Sequence, residues 1–184
     1  MTTDEALRFL SEHQPMPDTK VVPDQLLLQL NEVVEHFETH LDERCIPLLL
    51  NVFGEGDGHG VYQMVGFVIR LFPKNIVVPH LRRSLSNPRR SIREWSAEIA
   101  LGYQHLDLIE PLIDIALSED DTLREIAMFA LSRYPADTMI PLLEAARDRP
   151  MNQQARHDLD ALIVQLSSSG ERPNGMQQID GLKD

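Results

Sequence analysis

A single cysteine, Cys45, is the only thiol in this 184-residue sequence. No disulfide can close within the chain and no multi-cysteine zinc site can be built, which fits a reducing compartment. Bases are scarce beside acids: 17 Lys and Arg stand against 29 Asp and Glu, a formal charge of −12. A general nucleic-acid binder needs a broad positive field, so this balance argues against that class. Long hydrophobic runs are also missing. The longest nearly unbroken apolar stretch, Cys45 to Phe53, falls far short of the roughly 20 residues of a membrane span. The opening MTTDEALRFLSEH carries acids where a secretory signal carries Lys or Arg. Period-2 alternation of apolar and polar residues is absent, which removes β-strands from consideration. These absences leave the expectation of a soluble, cytoplasmic globular protein of one domain, or one domain with a short appendage.

What is present is unevenly arranged. Residues 1–60 hold twelve acids and three bases, residues 61–106 seven bases and two acids, and residues 107–184 fifteen acids and seven bases. Arg82, Arg83, Arg89, Arg90 and Arg93 crowd one short stretch. Such a split can orient a partner through complementary fields. Equally, these arginines can form a solvated face paired with nearby acids.

A repeat organises the chain. Prolines 47, 79, 111 and 141, spaced by 32, 32 and 30 residues, open the similar segments Pro47-Leu-Leu-Leu, Pro79-His-Leu-Arg, Pro111-Leu-Ile-Asp and Pro141-Leu-Leu-Glu. Glu43, Asn75, Asp107 and Asp137 stand four residues before them. Three of these four are good N-cap residues, which would set each proline at the edge of a first helical turn. Breaks follow at Gly54–Gly60, Ser86-Asn-Pro88, Ser118–Asp121 and Arg149-Pro150, and second helices are expected over 60–72, 91–103, 122–134 and 152–166. Leu123, Ile126, Ala127, Ala130 and Leu131 show the helical i, i+3, i+4 spacing, as do Ile92, Trp95, Ser96, Ile99 and Ala100. Four hairpins too small to bury their own apolar faces must stack to build one core.

A Pro-Leu-Leu first helix, a short acidic turn and then Leu-Arg-x-x-Ala-x-x-Ala-Leu resembles the HEAT repeat. Leu123, Arg124, Ala127, Ala130 and Leu131 match the second-helix pattern directly. Ile92, Arg93, Ala97, Ala100, Leu101 and Gly102 match it with one extra residue, Val65 and Val68 take the small positions of a poorer copy, and 152–166 matches weakly. The resemblance spans about 43–166. It implies an all-α fold, a right-handed α-α superhelix of about four helical hairpins whose second helices line the concave side.

The remaining segments frame that stack. Thr2-x-x-Glu5 can form a capping box for a helix near 3–13, and Pro23 can open a longer helix to about Leu41 with Leu26, Leu27, Leu30, Val33, Val34 and Phe37 on its apolar face. Residues 1–42 are thus expected to cap the open end of repeats at 43–166. Residues 167–184 have few apolar groups to bury and read as a disordered tail.

Candidate chemistry is thin. His36 and His40 are one turn apart, but HFETH puts the acid in the wrong place for HExxH, and no third ligand is evident, so no metal is expected. Gly54–Gly60 lacks the Lys-Ser/Thr of a P-loop and the ligand spacing of a calcium loop, and reads as a flexible turn that could also be a contact loop. Cys45 has no local base and belongs in the core, as does Trp95, with Tyr62 partly exposed. Arg93-Glu94 and Arg124-Glu125 recur at equivalent places. They form either a ladder that grips a protein or ties between adjacent repeats.

No nucleophile, base and acid converge, so the reading is non-catalytic, without cofactor, and directed at another protein. The candidate contact residues are Tyr62, Arg82, Arg83, Arg89, Arg90, Arg93, Glu94, Arg124 and Glu125. Small acidic HEAT-like proteins resemble some immunity proteins of bacterial toxin systems, which implies a toxin domain with a basic cleft as partner. The alternatives carried by the same resemblance are a phycobilin-lyase-like protein acting on a chromophore and a DNA-glycosylase-like protein acting on DNA. The absence of a glutamate after any of the seven histidines argues against a di-iron HEAT hydroxylase.

Overall fold

A computed structural model of the chain describes residues 1–170. Among them are ten α-helices and no strand: α1 (Thr3–Glu12), α2 (Asp24–Thr39), α3 (Cys45–Leu49), α4 (Val61–Arg70), α5 (Lys74–Leu85), α6 (Arg90–Ala100), α7 (Ile109–Ala116), α8 (Asp121–Leu131), α9 (Ala136–Ala146) and α10 (Gln153–Gly170). Short 3-10 turns at Gly58–Gly60 and Leu106–Leu108 lead into α4 and α7.

Helix α1 forms because both halves of its capping box close. Thr2 Oγ1 accepts from the Glu5 amide at 3.3 Å, and the Thr2 amide donates to the Glu5 carboxylate at 2.7 Å. The expected apolar face of α2 buries Leu27, Leu30, Val33, Val34 and Phe37.

The repeated prolines do not sit where the capping signals put them. Asn75 and Asp137 are the second residues of α5 and α9, whose N-caps are Pro73 and Pro135, and Pro79 and Pro141 lie inside those helices. Arg44 and Leu108 cap α3 and α7 in place of Glu43 and Asp107. The reason is backbone geometry. Pro73 (φ −57°, ψ 140°) and Pro135 (φ −57°, ψ 135°) supply the extended entry a helix needs without a side-chain cap. Each internal proline removes one bond to the carbonyl four residues back. In the other two units the same position falls after a tightened turn: the Cys45 amide donates to Asp42 at 3.0 Å and the Leu108 amide to His105 at 3.0 Å, both three residues back.

The helices pair as α3/α4, α5/α6, α7/α8 and α9/α10. Each of α3 and α6 also packs against the next helix of its kind, α3 on α5 and α6 on α8, as do α5 on α7 and α8 on α10. Helices α1 and α2 pack on each other, α1 also on α3 and α2 on α4. One apolar cluster threads all these contacts, from Ala6 and Leu10 through Leu49, Ile69, Leu81, Ile99, Leu112 and Ala127 to Leu143 and Leu166. The small residues Ala97, Ala127 and Ala130 are buried in this cluster beside large ones such as Leu81, Leu112 and Leu123. Each fully buried leucine or isoleucine contributes about 1.5–3 kcal/mol relative to exposure.

The expected tail at 167–184 begins too early. Helix α10 continues through Gly170, its last turns supported by Ser167 and Ser168 hydroxyls donating to Ile163 (2.8 Å) and Val164 (2.9 Å) carbonyls. Residues 171–184 lie outside the described residues.

Candidate functional site

The repeated Arg-Glu dipeptides divide into two roles. Arg93 donates to the Asn87 carbonyl at 2.9 Å, and Arg124 donates to the Ser118 carbonyl at 3.2 Å. In both units the acceptor is six residues back, in the turn between first and second helix. Arg124 goes further and reaches Asp158 of α10 at 2.7 Å and Asp121 at 2.5 Å, leaving its side chain 4% exposed. Those two carboxylates raise its pKa against the desolvation that would lower it. Asp158 is held below the usual carboxylate range by hydrogen bonds from Arg124 and Gln154, which outweigh its own desolvation. These arginines therefore hold turns and neighbouring units together.

The glutamates point the other way. Glu125 is exposed and borders an open groove of about 490 Å³ between α8 and α10, with Met128, Phe129, Asp158 and Leu162. Glu94 borders a second opening of about 330 Å³ with Gln63, Trp95 and Glu98. A third, of about 210 Å³, lies between α4 and α6 and is walled by Gln63, Phe67, Trp95 and Glu98. These lining positions keep one register: Gln63, Glu94 and Glu125 are 31 residues apart, and so are Phe67, Glu98 and Phe129. Phe67 and Phe129 are each 55% exposed. Arg70 lies over the Phe67 ring at 5.6 Å and Arg133 over the Phe129 ring at 5.9 Å, a cation–π arrangement repeated in two units. Gln63, Phe67, Glu98 and Phe129 are not among the sequence candidates. Shifting Glu94 and the next helical turn by the repeat period finds all of them.

Tyr62 and Trp95 exchange their expected places. Tyr62 is buried, 1% exposed, and its hydroxyl accepts from the Gly54 amide at 3.0 Å. Burial pushes its phenol up, with Asp18 and Asp57 adding to the rise. Trp95 is half-buried, stacked on Phe53 at 5.6 Å and edge-on to Tyr62 at 5.6 Å. In the 31-residue register shared with α8, Trp95 corresponds to Ile126, and the buried Ser96 takes the small-residue place of Ala127.

The glycine-rich segment is pinned rather than loose. The Trp95 indole N–H donates to the Gly56 carbonyl at 3.2 Å. The Thr19 amide and hydroxyl both donate to the Glu55 carbonyl at 2.9 Å, and the Thr19 hydroxyl accepts from the Gly58 amide at 2.9 Å. Glycine is required at two points. A Cβ on Gly54 would stand 2.3 Å from the Met16 carbonyl oxygen, and one on Gly58 (φ +56°) would stand 2.8 Å from the Tyr62 ring. With Asp18, Lys20, Arg90, Glu94 and Trp95 this loop walls a trough of about 670 Å³.

The arginine cluster splits as well. Arg90 is engaged, donating to Asp120 at 2.6 Å and to Glu94 at 2.5 Å, which ties the start of α6 to the N-cap of α8. Hydrogen bonds from Arg90 and the Leu123 amide hold Asp120 below the usual carboxylate range in spite of its desolvation. Arg82, Arg83 and Arg89 are exposed, Arg82 standing 3.7 Å from Glu110. Arg82 and Arg83 also lie in the last turn of α5, where a cation favours the helix dipole.

Elsewhere, Cys45 is fully buried and its thiol is pushed up to about 12, mainly by desolvation. His36 and His40 stack at 4.5 Å, and no group of three His, Cys, Asp or Glu able to hold a metal occurs among the described residues. No helix among them is long and apolar enough to cross a membrane. Compared with known proteins, the sequence matches no family model and no curated protein.

Proposed function

We propose that this protein is a non-catalytic binding scaffold, a right-handed stack of HEAT-like hairpins capped by its N-terminal helices, whose second helices present the surface that engages another protein. One observation carries the reading: side chains in a 31-residue register, Gln63, Glu94 and Glu125 with Phe67, Glu98 and Phe129, all border openings between neighbouring second helices. Structural repeats that expose aromatic and acidic groups in register supply an extended surface with apolar anchors and a polar rim, as protein interfaces require. The pairing of α3 with α5 and α6 with α8 supports stacking.

In its sharper form the partner is a toxin domain with a basic cleft, and the protein neutralises it. The charge of −12 speeds encounter with such a cleft. The glutamates that border these openings, Glu98 and Glu125, favour a basic protein over DNA or RNA. In this reading the protein works in the cytoplasm, where an unpaired cysteine stays reduced.

The test is capture from native lysate and from the products of neighbouring genes, using wild type and Glu98→Lys/Glu125→Lys in parallel. The expected result is a stoichiometric partner bound by wild type and lost by the variant, with the circular dichroism of the two unchanged. A partner held equally by both, or none held by either, overturns the reading.

A further inference from the structure

The proposed binding face has one place where an aromatic wall and unneutralised carboxylates meet. Trp95 borders three of the openings, the trough of about 670 Å³ and the two smaller ones of about 330 and 210 Å³. Its ring is fixed on the protein side by Phe53, Tyr62 and the bond to Gly56. An anchor held this way loses little side-chain freedom on binding.

The surrounding charge is predominantly negative. Asp18, Glu55, Asp57 and Glu94 border the trough, and Glu98 is one helical turn beyond Glu94. Four carboxylates and two cations, Lys20 and Arg90, line the trough. Arg90 serves Asp120 and Glu94, and Arg70 lies over Phe67. Glu55 and Glu98 have no ion-pair partner among the described residues. Like charges at i and i+4 destabilise a free helix. Desolvation and then Glu94 raise the pKa of Glu98, with Arg70 only partly opposing them. Such a helix face is relieved by a cation from outside.

Resting on the binding-scaffold reading above, we infer that the Trp95 ridge receives arginine side chains carried on an extended segment of the partner protein, with Glu55 in the trough and Glu98 in the smaller openings as their counter-charges. A planar guanidinium fits where a lysine ammonium does not do as well. It can lie against the indole ring and present paired N–H groups to a carboxylate at the same time.

Trp95 is the only tryptophan, so its emission reports on this spot alone. The probe is a short peptide alternating glycine and arginine, compared at near-physiological salt with its lysine and glutamate counterparts. The arginine peptide is expected to change Trp95 emission saturably and to bind about tenfold more tightly than the lysine peptide. The glutamate peptide should have no effect. Glu55→Gln/Glu98→Gln should weaken the arginine peptide about tenfold. Glu32→Gln/Glu38→Gln, the same change in net charge made on the exposed side of α2, should leave it unchanged. No saturable response, equal binding of lysine and arginine, or equal weakening by the two double variants each overturns the assignment. If the peptide fails while the Glu98→Lys/Glu125→Lys variant still loses a captured partner, the scaffold reading stands and the arginine site alone falls.

Discussion

Arg93 and Arg124 occupy the same register position, yet their surroundings differ in a way that sets their worth. Both satisfy a turn carbonyl six residues back, but only Arg124 also binds carboxylates, one of them on the next unit. Hydrogen bonds to charged groups contribute roughly twice what neutral ones do. Arg124→Met is therefore expected to cost about 2 kcal/mol and Arg93→Met about 1 kcal/mol in urea unfolding. Asp158→Ala should cost more than Arg124→Met, because it leaves a buried guanidinium short of its partner while Asp121 and Asp158 can return to water when the arginine is removed. Cys45 gives a second residue-scale expectation. Buried and held protonated near neutral pH, it should react with a thiol reagent only as fast as the protein unfolds, and rapid native labelling would contradict its place in the core.

Among the elements, the segment from Gly54 to Gly60 departs furthest from its sequence reading. Glycine density suggested mobility, whereas the glycines allow close approach: Gly54 against the Met16 and Pro17 carbonyls, Gly58 against Tyr62. Gly54→Ala should push the loop away from residues 16–17 and cost about 1–3 kcal/mol. Trp95 emission should shift to the red as its bond to Gly56 loosens, and unchanged emission would show that the loop does not depend on this contact. The helices themselves were largely legible. Period and small-residue spacing located α4, α6, α8 and α10, and Thr2-x-x-Glu5 located α1, because these signals are local. Helix starts were misread, since an extended proline can replace a polar cap and leave the polar residue inside the first turn. The exchange between Tyr62 and Trp95 was not legible. It depends on how the Gly54 amide folds back onto the Tyr62 hydroxyl, a contact no periodicity encodes.

For the molecule as a whole, pH sensitivity follows from two histidines. Desolvation lowers the pKa of His36, helped by His40, and that of His80, helped by Arg83. The native state then binds fewer protons than the unfolded chain, so stability falls as pH drops through the ordinary imidazole value of 6.5. Asp42, Asp120 and Asp158, whose pKa values are lowered, lose their contribution only as pH falls further, below the usual carboxylate value of 3.8. His36→Gln/His80→Gln should flatten the stability profile between neutral pH and pH 5, and an unchanged slope would assign that loss to other groups.

The proposed binding face was half legible at this scale. Glu94 and Glu125 came from the recurring dipeptide, whereas Phe67, Glu98 and Phe129 emerge only when one register is carried across all units. Its most direct test is a photo-crosslinking residue placed singly at Glu98, at Phe129, and at the exposed positions Glu38 and Glu144 on α2 and α9. In native lysate, adducts with one common protein from positions 98 and 129, and none from 38 and 144, are the expected result. Adducts from all four positions alike, or from 38 and 144 alone, would contradict a binding surface on the second helices.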